Sequence, residues 1–305
     1  MDQKHKPIYA EASGNTFLIF DYLDKYEHDF DEDIVRQHHK SYGFEKIDSC
    51  LVLTKVNNEE HIPTQLRGLN SVLLMRMYVY EPGDGFCGNG ARAVSKYCFH
   101  HYRKLYNQFF IATDGWLHEL LERSEQDLER SEQDEQDAEY LVEMGESVYH
   151  DPVGGFVEKG ILDGEGKFIH SNVTWHYVNT SEPHLVTFDK IDNKELIRIG
   201  NSFNQEPNKF SIGINLNRVL IIDKSTINVL TFERGINRLT MACGSGSTSC
   251  AALAKRLGFI DQAESKVTVK VRGGYIIITS ENGKVYLSGP CLVEGIDNVE
   301  KEVSM

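Results

Sequence analysis

The sequence predicts an α/β (α+β) protein of two similar lobes, and three observations lead there. With 305 residues, 40% of them hydrophobic, the chain can fill one or two real cores. Short apolar runs of strand length alternate with turns along most of it. Two stretches share one design, Gly85-Phe-Cys-Gly-Asn-Gly-Ala-Arg-Ala-Val94 and Met241-Ala-Cys-Gly-Ser-Gly-Ser-Thr-Ser-Cys-Ala-Ala-Leu253, each a cysteine and glycines opening a helical pattern. Each half also carries an earlier turn that leads into a strand, Ser13-Gly-Asn-Thr-Phe17 and Thr180-Ser-Glu-Pro-His184. The repeated order suggests two like lobes with these helices packed in the middle, and a cleft between lobes suits a small ligand.

The first strand is expected at 17–20, and a short helix at 31–39, with acids in its first turn and Gly43 beyond its end. Strands follow at 47–53 and 72–80. A Pro-Gly-Asp-Gly turn at 82–85 then opens the first cysteine helix, whose Ala91, Val94, Cys98 and His101 share a face. The run 109–113 resumes the sheet, and strands at 116–121 and 140–144 flank a low-complexity insertion at 121–137. There Leu121-Glu-Arg-Ser-Glu-Gln-Asp127 is repeated at once as 128–134. One leucine per copy cannot sustain a coiled-coil seam, so the repeat is expected to be a solvated, frayed helical insertion in a hairpin loop. Beyond it, strands are expected at 174–178, 210–217, 218–222, 227–234, 266–271, 275–279 and 284–288. A short helix falls at 190–199, and the second cysteine helix ends near Gly258.

Composition removes several classes of function. A net charge of -14 with no basic stripe argues against nucleic-acid binding. No apolar run reaches the length of a membrane span, and the polar start shows no signal-peptide pattern, so a cytoplasmic protein is expected. Six cysteines lacking a close Cys-x-x-Cys pair are neither a disulfide framework nor a zinc ribbon. Cys50, Cys98, Cys250 and Cys291 sit in apolar contexts and read as small buried hydrophobes. Neither glycine turn supplies the lysine of a phosphate-binding P-loop, the dinucleotide fingerprint is absent, and the histidines show no metal-binding spacing. No cofactor and no metal are expected.

Cys87 and Cys243 differ from the other four. Glycines let backbone approach a ligand closely, and the first N–H groups of a helix are free to bind an anion. A thiol there is expected to be acidified by the helix dipole. Two such thiols on opposite faces of one carbon could remove a proton and return another, which is racemisation or epimerisation without a cofactor. The carbanion formed needs its carboxylate held tightly, a task for the same two helix starts.

The motifs Ser13-Gly-Asn-Thr-Phe17, Cys87-Gly-Asn-Gly-Ala-Arg92, Phe232-Glu-Arg-Gly235, Ala242-Cys-Gly-Ser-Gly246 and Ser288-Gly-Pro290 occur in the order seen in diaminopimelate epimerases. The chain resembles that family from about residue 8 to residue 297, interrupted by the repeat. The resemblance implies two pseudo-symmetric lobes, each a sheet wrapped around a central helix. The N-terminal lobe would be 1–111 completed by 288–305, and the C-terminal lobe 112–287. It implies a small amino-acid substrate, no cofactor and a homodimer. By position, Cys87 and Cys243 would be the acid–base pair, with His184 and Glu233 beside them as tuning groups. Gly88 with Asn89, and Gly244 with Ser245, would hold the reacting carboxylate through backbone N–H groups. Asn15 would contact the reacting end, while Asn215 and Arg234 would bind a distal carboxylate.

Departures from the family pattern fall on substrate contacts. An asparagine becomes Glu182 in Ser181-Glu-Pro-His184, and a strand glutamine falls on Ser49. Tyr80 or Glu81 stands where an asparagine is expected, and Asn237-Arg-Leu239 replaces a Gly-Glu-Thr in a segment one residue longer. Glu182 and Ser49 are therefore expected to touch substrate and to bear on its identity. Three readings stay open: diaminopimelate epimerase, an epimerase or racemase of another amino acid, and a catalytically silent binding protein.

Overall fold

The computed structural model describes residues 6–26, 31–43, 46–56, 59–60, 62–78, 82–83, 86–106, 108–113, 116–123, 138–149, 162–205, 210 and 213–297. The chain divides into two units, Met1–Glu143 with Ser288–Met305, and Met144–Leu287. The boundary expected at 111/112 instead lies at 143/144.

In the first unit, β1 (Ile8–Ala12) and β2 (Asn15–Tyr26) form an antiparallel hairpin. Its two-residue turn needs positive φ at both positions, and Ser13 and Gly14 supply φ 50° and 80°. Helix α1 (Glu32–Tyr42) is capped by Asp31, whose carboxylate accepts from Asp33 N–H. β3 (Ser49–Lys55) then lies parallel to β2, followed by antiparallel β4 (Val72–Tyr78) and the short β5 (Pro82–Gly83). The near-continuous apolar reading of β2 and β3 follows from burial on both faces. Leu18, Phe20, Cys50 and Val52 pack with Val35 of α1, while Phe17 and Leu51 lie beneath α2 (Gly88–Tyr102).

β6 (Phe109–Thr113) pairs parallel with β4, and β7 (Trp116–Arg123) and β8 (Glu139–Glu143) continue antiparallel. That ladder is why residues 109–143 belong to the first unit. Leu121, Glu122 and Arg123 pair in β7 with Leu141, Tyr140 and Glu139, so the first copy of the repeat starts as strand. The rest of the insertion, 124–137, lies outside the described residues. Helix α2 contacts β1, β2, β6, β7 and β8.

The second unit runs through β9 (Lys167–His170), β10 (Val173–Thr180), β11 (Glu182–Thr187), α3 (Asn193–Gln205), β12 (Asn215–Ile221), β13 (Thr226–Glu233), β14 (Arg238–Leu239), α4 (Gly244–Arg256), β15 (Lys266–Val271), β16 (Gly274–Glu281) and β17 (Lys284–Ser288). Ser181 alone, at φ 65°, reverses the chain between β10 and β11, so Glu182, Pro183 and His184 are strand residues rather than a turn. Helix α3 starts later than expected, with Asp192 accepting from Glu195 N–H. Strand β12 begins at Asn215, not 210. It lies parallel to β11 and antiparallel to β13.

Alternation along these three strands sorts their side chains by face. Leu185, Leu216, Leu230 and Phe232 pack with Leu196, Ile199 and Phe203 of α3. At Gly200 of α3 a Cβ would sit 2.3 Å from the Phe232 ring, so glycine there sets the helix against the sheet. His184, Asn217 and Thr231 point to the opposite face, toward the start of α4, as a polar row with Asn217 directly across from Thr231.

After β17, strand β18 (Cys291–Val293) returns to the first unit and pairs antiparallel with β1. It also lies against α2, where Lys96 donates to the Cys291 carbonyl at 3.2 Å and pairs with Asp297 at 2.7 Å. Among the described residues no helix is long and apolar enough to cross a membrane.

Candidate functional site

Two helix starts, one in each unit, hold the candidate residues. In the first, Cys87 is the N-cap of α2 with extended backbone, and its Sγ accepts from Gly90 N–H at 3.4 Å. The first intrahelical bond runs from Ala91 N–H to the Cys87 carbonyl, so the Gly88 and Asn89 N–H groups stand ahead of the intrahelical ladder, with no hydrogen-bond partner among the described residues. Gly90 is required because a Cβ would meet Leu51 at 2.9 Å and Phe17 at 3.4 Å, which form an apolar floor.

The side chain of Asn89 is turned inward. It donates to Asn15 Oδ1 at 2.8 Å and accepts from the Arg92 guanidinium at 2.9 Å. Fully buried, Arg92 also donates to Ser13 Oγ at 2.9 Å and to the Pro290 carbonyl at 3.3 Å. A buried cation thus ties the hairpin turn, the helix start and the segment before β18 into one network. Phe86, one residue ahead of Cys87, stacks on His118 with ring centroids 3.7 Å apart.

In the second unit, Cys243 caps α4 in the same way, with Sγ accepting from Gly246 N–H at 3.4 Å. Ser247 N–H closes the first turn on the Cys243 carbonyl, leaving the Gly244 and Ser245 N–H groups available. The floor here is polar: a Cβ on Gly246 would meet Asn217 Oδ1 at 2.8 Å, His184 Cε1 at 3.1 Å and Cys243 Sγ at 3.2 Å. Ser245 Oγ lies 3.5 Å from Cys243 Sγ and 3.0 Å from His184 Nε2. On its other side, His184 Nδ1 is 3.0 Å from Asn217 Nδ2.

The electrostatics of Cys243 differ from the expectation. The helix start was expected to acidify this thiol, yet its pKa is pushed well above the ordinary value. Burial is the main cause and the Glu233 carboxylate the second; the Ser245 hydroxyl and Gly246 N–H pull the other way and do not win. Cys243 therefore rests as the thiol. Burial, and then the Arg234 charge, push His184 down to about 3, so it is a neutral imidazole. Cys50 is pushed up to about 12 by burial, and burial likewise raises Cys98, Cys250 and Cys291. Of these, Cys291 is only partly buried as a residue, unlike the other three.

The remaining expected residues fall as follows. Asn15 opens β2 and Ser49 opens β3, buried on the side of that strand that Leu51 shares beneath α2. Asn215 turns its Oδ1 to Arg234 N–H at 2.9 Å, so that oxygen positions the strand end rather than a ligand. Glu233 ends β13 and accepts from Thr240 Oγ1 at 2.6 Å. The Arg234 guanidinium is paired with the Glu182 carboxylate, both partly exposed. The expected distal-carboxylate site is thus already partnered by an acid. Tyr80 and Glu81 lie outside the described residues.

Sequence reasoning missed Arg92, Asn217 and Thr231 as parts of these networks. The available signal was alternation: Asn217 and Thr231 sit at inward positions of apolar strands, where a polar residue requires a partner. Among the described residues no group of three or more His, Cys, Asp or Glu is set to hold a metal ion.

The sequence model of diaminopimelate epimerase matches residues 176–293. A diaminopimelate epimerase of Hydrogenobaculum is 35% identical over 119 residues, 38% of this chain and 42% of that relative. One of Chlorobaculum tepidum is 31% identical over a stretch covering 38% and 46%. These matches thus span less than half of each relative's length. A diaminopimelate epimerase of Methanocella arvoryzae is 26% identical and covers 94% of both chains. Among solved structures, a hydroxyproline epimerase from Agrobacterium vitis with bound trans-4-hydroxy-L-proline has a TM-score of 0.58 at 10% identity, covering 95% of this chain and 90% of its own. A phenazine biosynthesis protein from Bacillus anthracis also has a TM-score of 0.58, at 12% identity and 94% and 96% coverage. At such identities the likeness to solved structures is one of fold, and the fold is mixed α/β.

Proposed function

We propose that the chain, which is similar to diaminopimelate epimerases, is a cofactor-independent isomerase that interconverts LL- and meso-diaminopimelate, a step of lysine and cell-wall precursor biosynthesis. One observation carries the reading. Each unit presents an N-cap cysteine, with a glycine N–H on its sulfur and two further amide N–H groups free for a carboxylate. The two-base chemistry asks that the two thiols address opposite faces of one α-carbon, in two like lobes each built around its cysteine helix. The thiolate takes the α-proton, the thiol returns one on the other face, and the amide N–H groups stabilise the charge developing on the carboxylate. Cys243, resting as the thiol, is the proton donor for the first half of a turnover. A homodimer is the assembly that goes with this reading, checked by light scattering on the eluting protein.

A second substrate reading follows from the Glu182–Arg234 pair. The ammonium-bearing carboxylate end of diaminopimelate could meet both partners, whereas an arginine already neutralised by an acid favours a substrate side chain that carries no carboxylate at all. Turnover of another amino acid from a panel, with none of LL-diaminopimelate, would transfer the assignment to that acid.

The deciding experiment follows exchange of the α-proton with solvent deuterium by reduced protein. Wild type is expected to exchange and epimerise diaminopimelate, and Cys87→Ala or Cys243→Ala to lose epimerisation while staying folded. Near-normal turnover by either variant rejects the two-thiol mechanism. A wild type that exchanges no amino acid at all is a binding protein on this fold.

A further inference from the structure

We propose that Thr231, Asn217, His184 and Ser245 form a hydrogen-bond relay of fixed direction ending on Cys243 Sγ, and that Asn217 is the positioning residue that sets it. The direction is forced from one end. The Leu185 carbonyl can only accept, so the atom of the Asn217 amide facing it at 3.3 Å is the nitrogen. Its oxygen then accepts from the Thr231 hydroxyl at 2.8 Å. With the amide so turned, Asn217 donates to His184 Nδ1 at 3.0 Å, and Nδ1 must be the bare nitrogen of the ring.

A neutral imidazole with a bare Nδ1 carries its proton on Nε2. Nε2–H therefore donates to Ser245 Oγ at 3.0 Å. Ser245 accepts that bond, which leaves its own O–H free to turn toward Cys243 Sγ at 3.5 Å. All four relay residues are buried, and Gly246 seals them against the helix start, since nothing larger than hydrogen fits above Asn217 and His184.

This changes the role of His184. Its one lone pair is held by Asn217, so in this arrangement it is a donor and not a base. Once Cys243 has given up its proton, the Ser245 O–H and Gly246 N–H solvate a thiolate that burial and Glu233 disfavour. The place of that thiolate in turnover rests on the epimerase reading, but the relay itself does not, and its test uses no substrate.

Long-range proton–nitrogen correlation spectra of histidine-labelled wild type, with His184→Gln to assign the signal, are expected to show His184 neutral and protonated on Nε2 from pH 5 to 8. A proton on Nδ1, or an imidazolium at pH 7, overturns the proposal. Ser245→Ala is expected to slow iodoacetamide alkylation of Cys243 at pH 8 about tenfold, as one unit of thiol acidity implies. Cys87 in the same sample serves as the unchanged reference, and Ser245→Thr, which keeps a hydroxyl, should restore most of the rate. An unchanged Cys243 rate in Ser245→Ala also overturns the relay. Asn217→Asp keeps the shape but cannot donate, so the His184 proton is expected to move to Nδ1. If that variant does not fold, the wild-type spectrum and the Ser245 pair still decide.

Discussion

At Cys87 and at Cys243 the backbone does the same things. The cysteine caps a helix, its sulfur accepts from the third following N–H at 3.4 Å, and two amides stay open. Beneath the backbone they part. Gly90 rests on Leu51 and Phe17, whereas Gly246 rests on Asn217 and His184. The first turn is braced from behind by a charged group, Arg92, donating to neutral oxygens. The second is braced by uncharged groups linked end to end from Thr231 to Ser245. The helix-start backbone is the common part, and each unit sets its own thiol environment through the floor.

The strongest way to break this comparison is to remove the cation. Arg92→Met leaves Asn89 Oδ1, Ser13 Oγ and the Pro290 carbonyl without their donor, and is expected to destabilise the protein by about 3 kcal/mol. Urea unfolding measures it, and a loss below about 1 kcal/mol would show that the network is not charge-braced. Next come the two glycines. Gly246→Ala forces hydrogen-bonded groups apart and is expected to cost about 2 kcal/mol, while at Gly90→Ala the end of Leu51 can yield for about 1 kcal/mol. Equal costs would mean that the two floors are equally pliable.

The smallest effect is one of pH. An unfolded histidine takes up a proton below about 6.5, but folded His184 does not until about 3, so the unfolded state binds more protons in that window. Stability contributed by neutral His184 is complete above pH 6.5 and falls as the solution is acidified, by about 1 kcal/mol at pH 5.5. The difference between wild type and His184→Gln, unfolded at a series of pH values, isolates it. A flat difference would mean that His184 takes up its proton in the folded state as readily as in the unfolded one.

What could be read in the sequence was local. Both cysteine turns, the helix after each, and most strands follow from glycine placement and alternation within a few residues. Long-range pairing escaped that reading. Strands β7 and β8 were expected in the second lobe, yet they continue the ladder from β6, which pairs with β4, and so belong to the first unit. Arg92 was legible only as part of a motif, because its partners come from Ser13 and Pro290 at distant parts of the chain. The acidity expected of Cys243 followed from the helix start alone, and its burial and the nearby Glu233 could not be seen from there. Glu182 was noticed as an odd acid, but its engagement with Arg234 depends on which strand ends meet.

The return of β18 to β1, with Lys96 holding Asp297, has a consequence for how the protein is made. On the ribosome, the first unit must wait with one edge open until all of Met144–Leu287 has been synthesised. The later half of the polypeptide can therefore finish folding before the earlier half, and the exposed margin of β1 during that interval is where a nascent chain would most need protection.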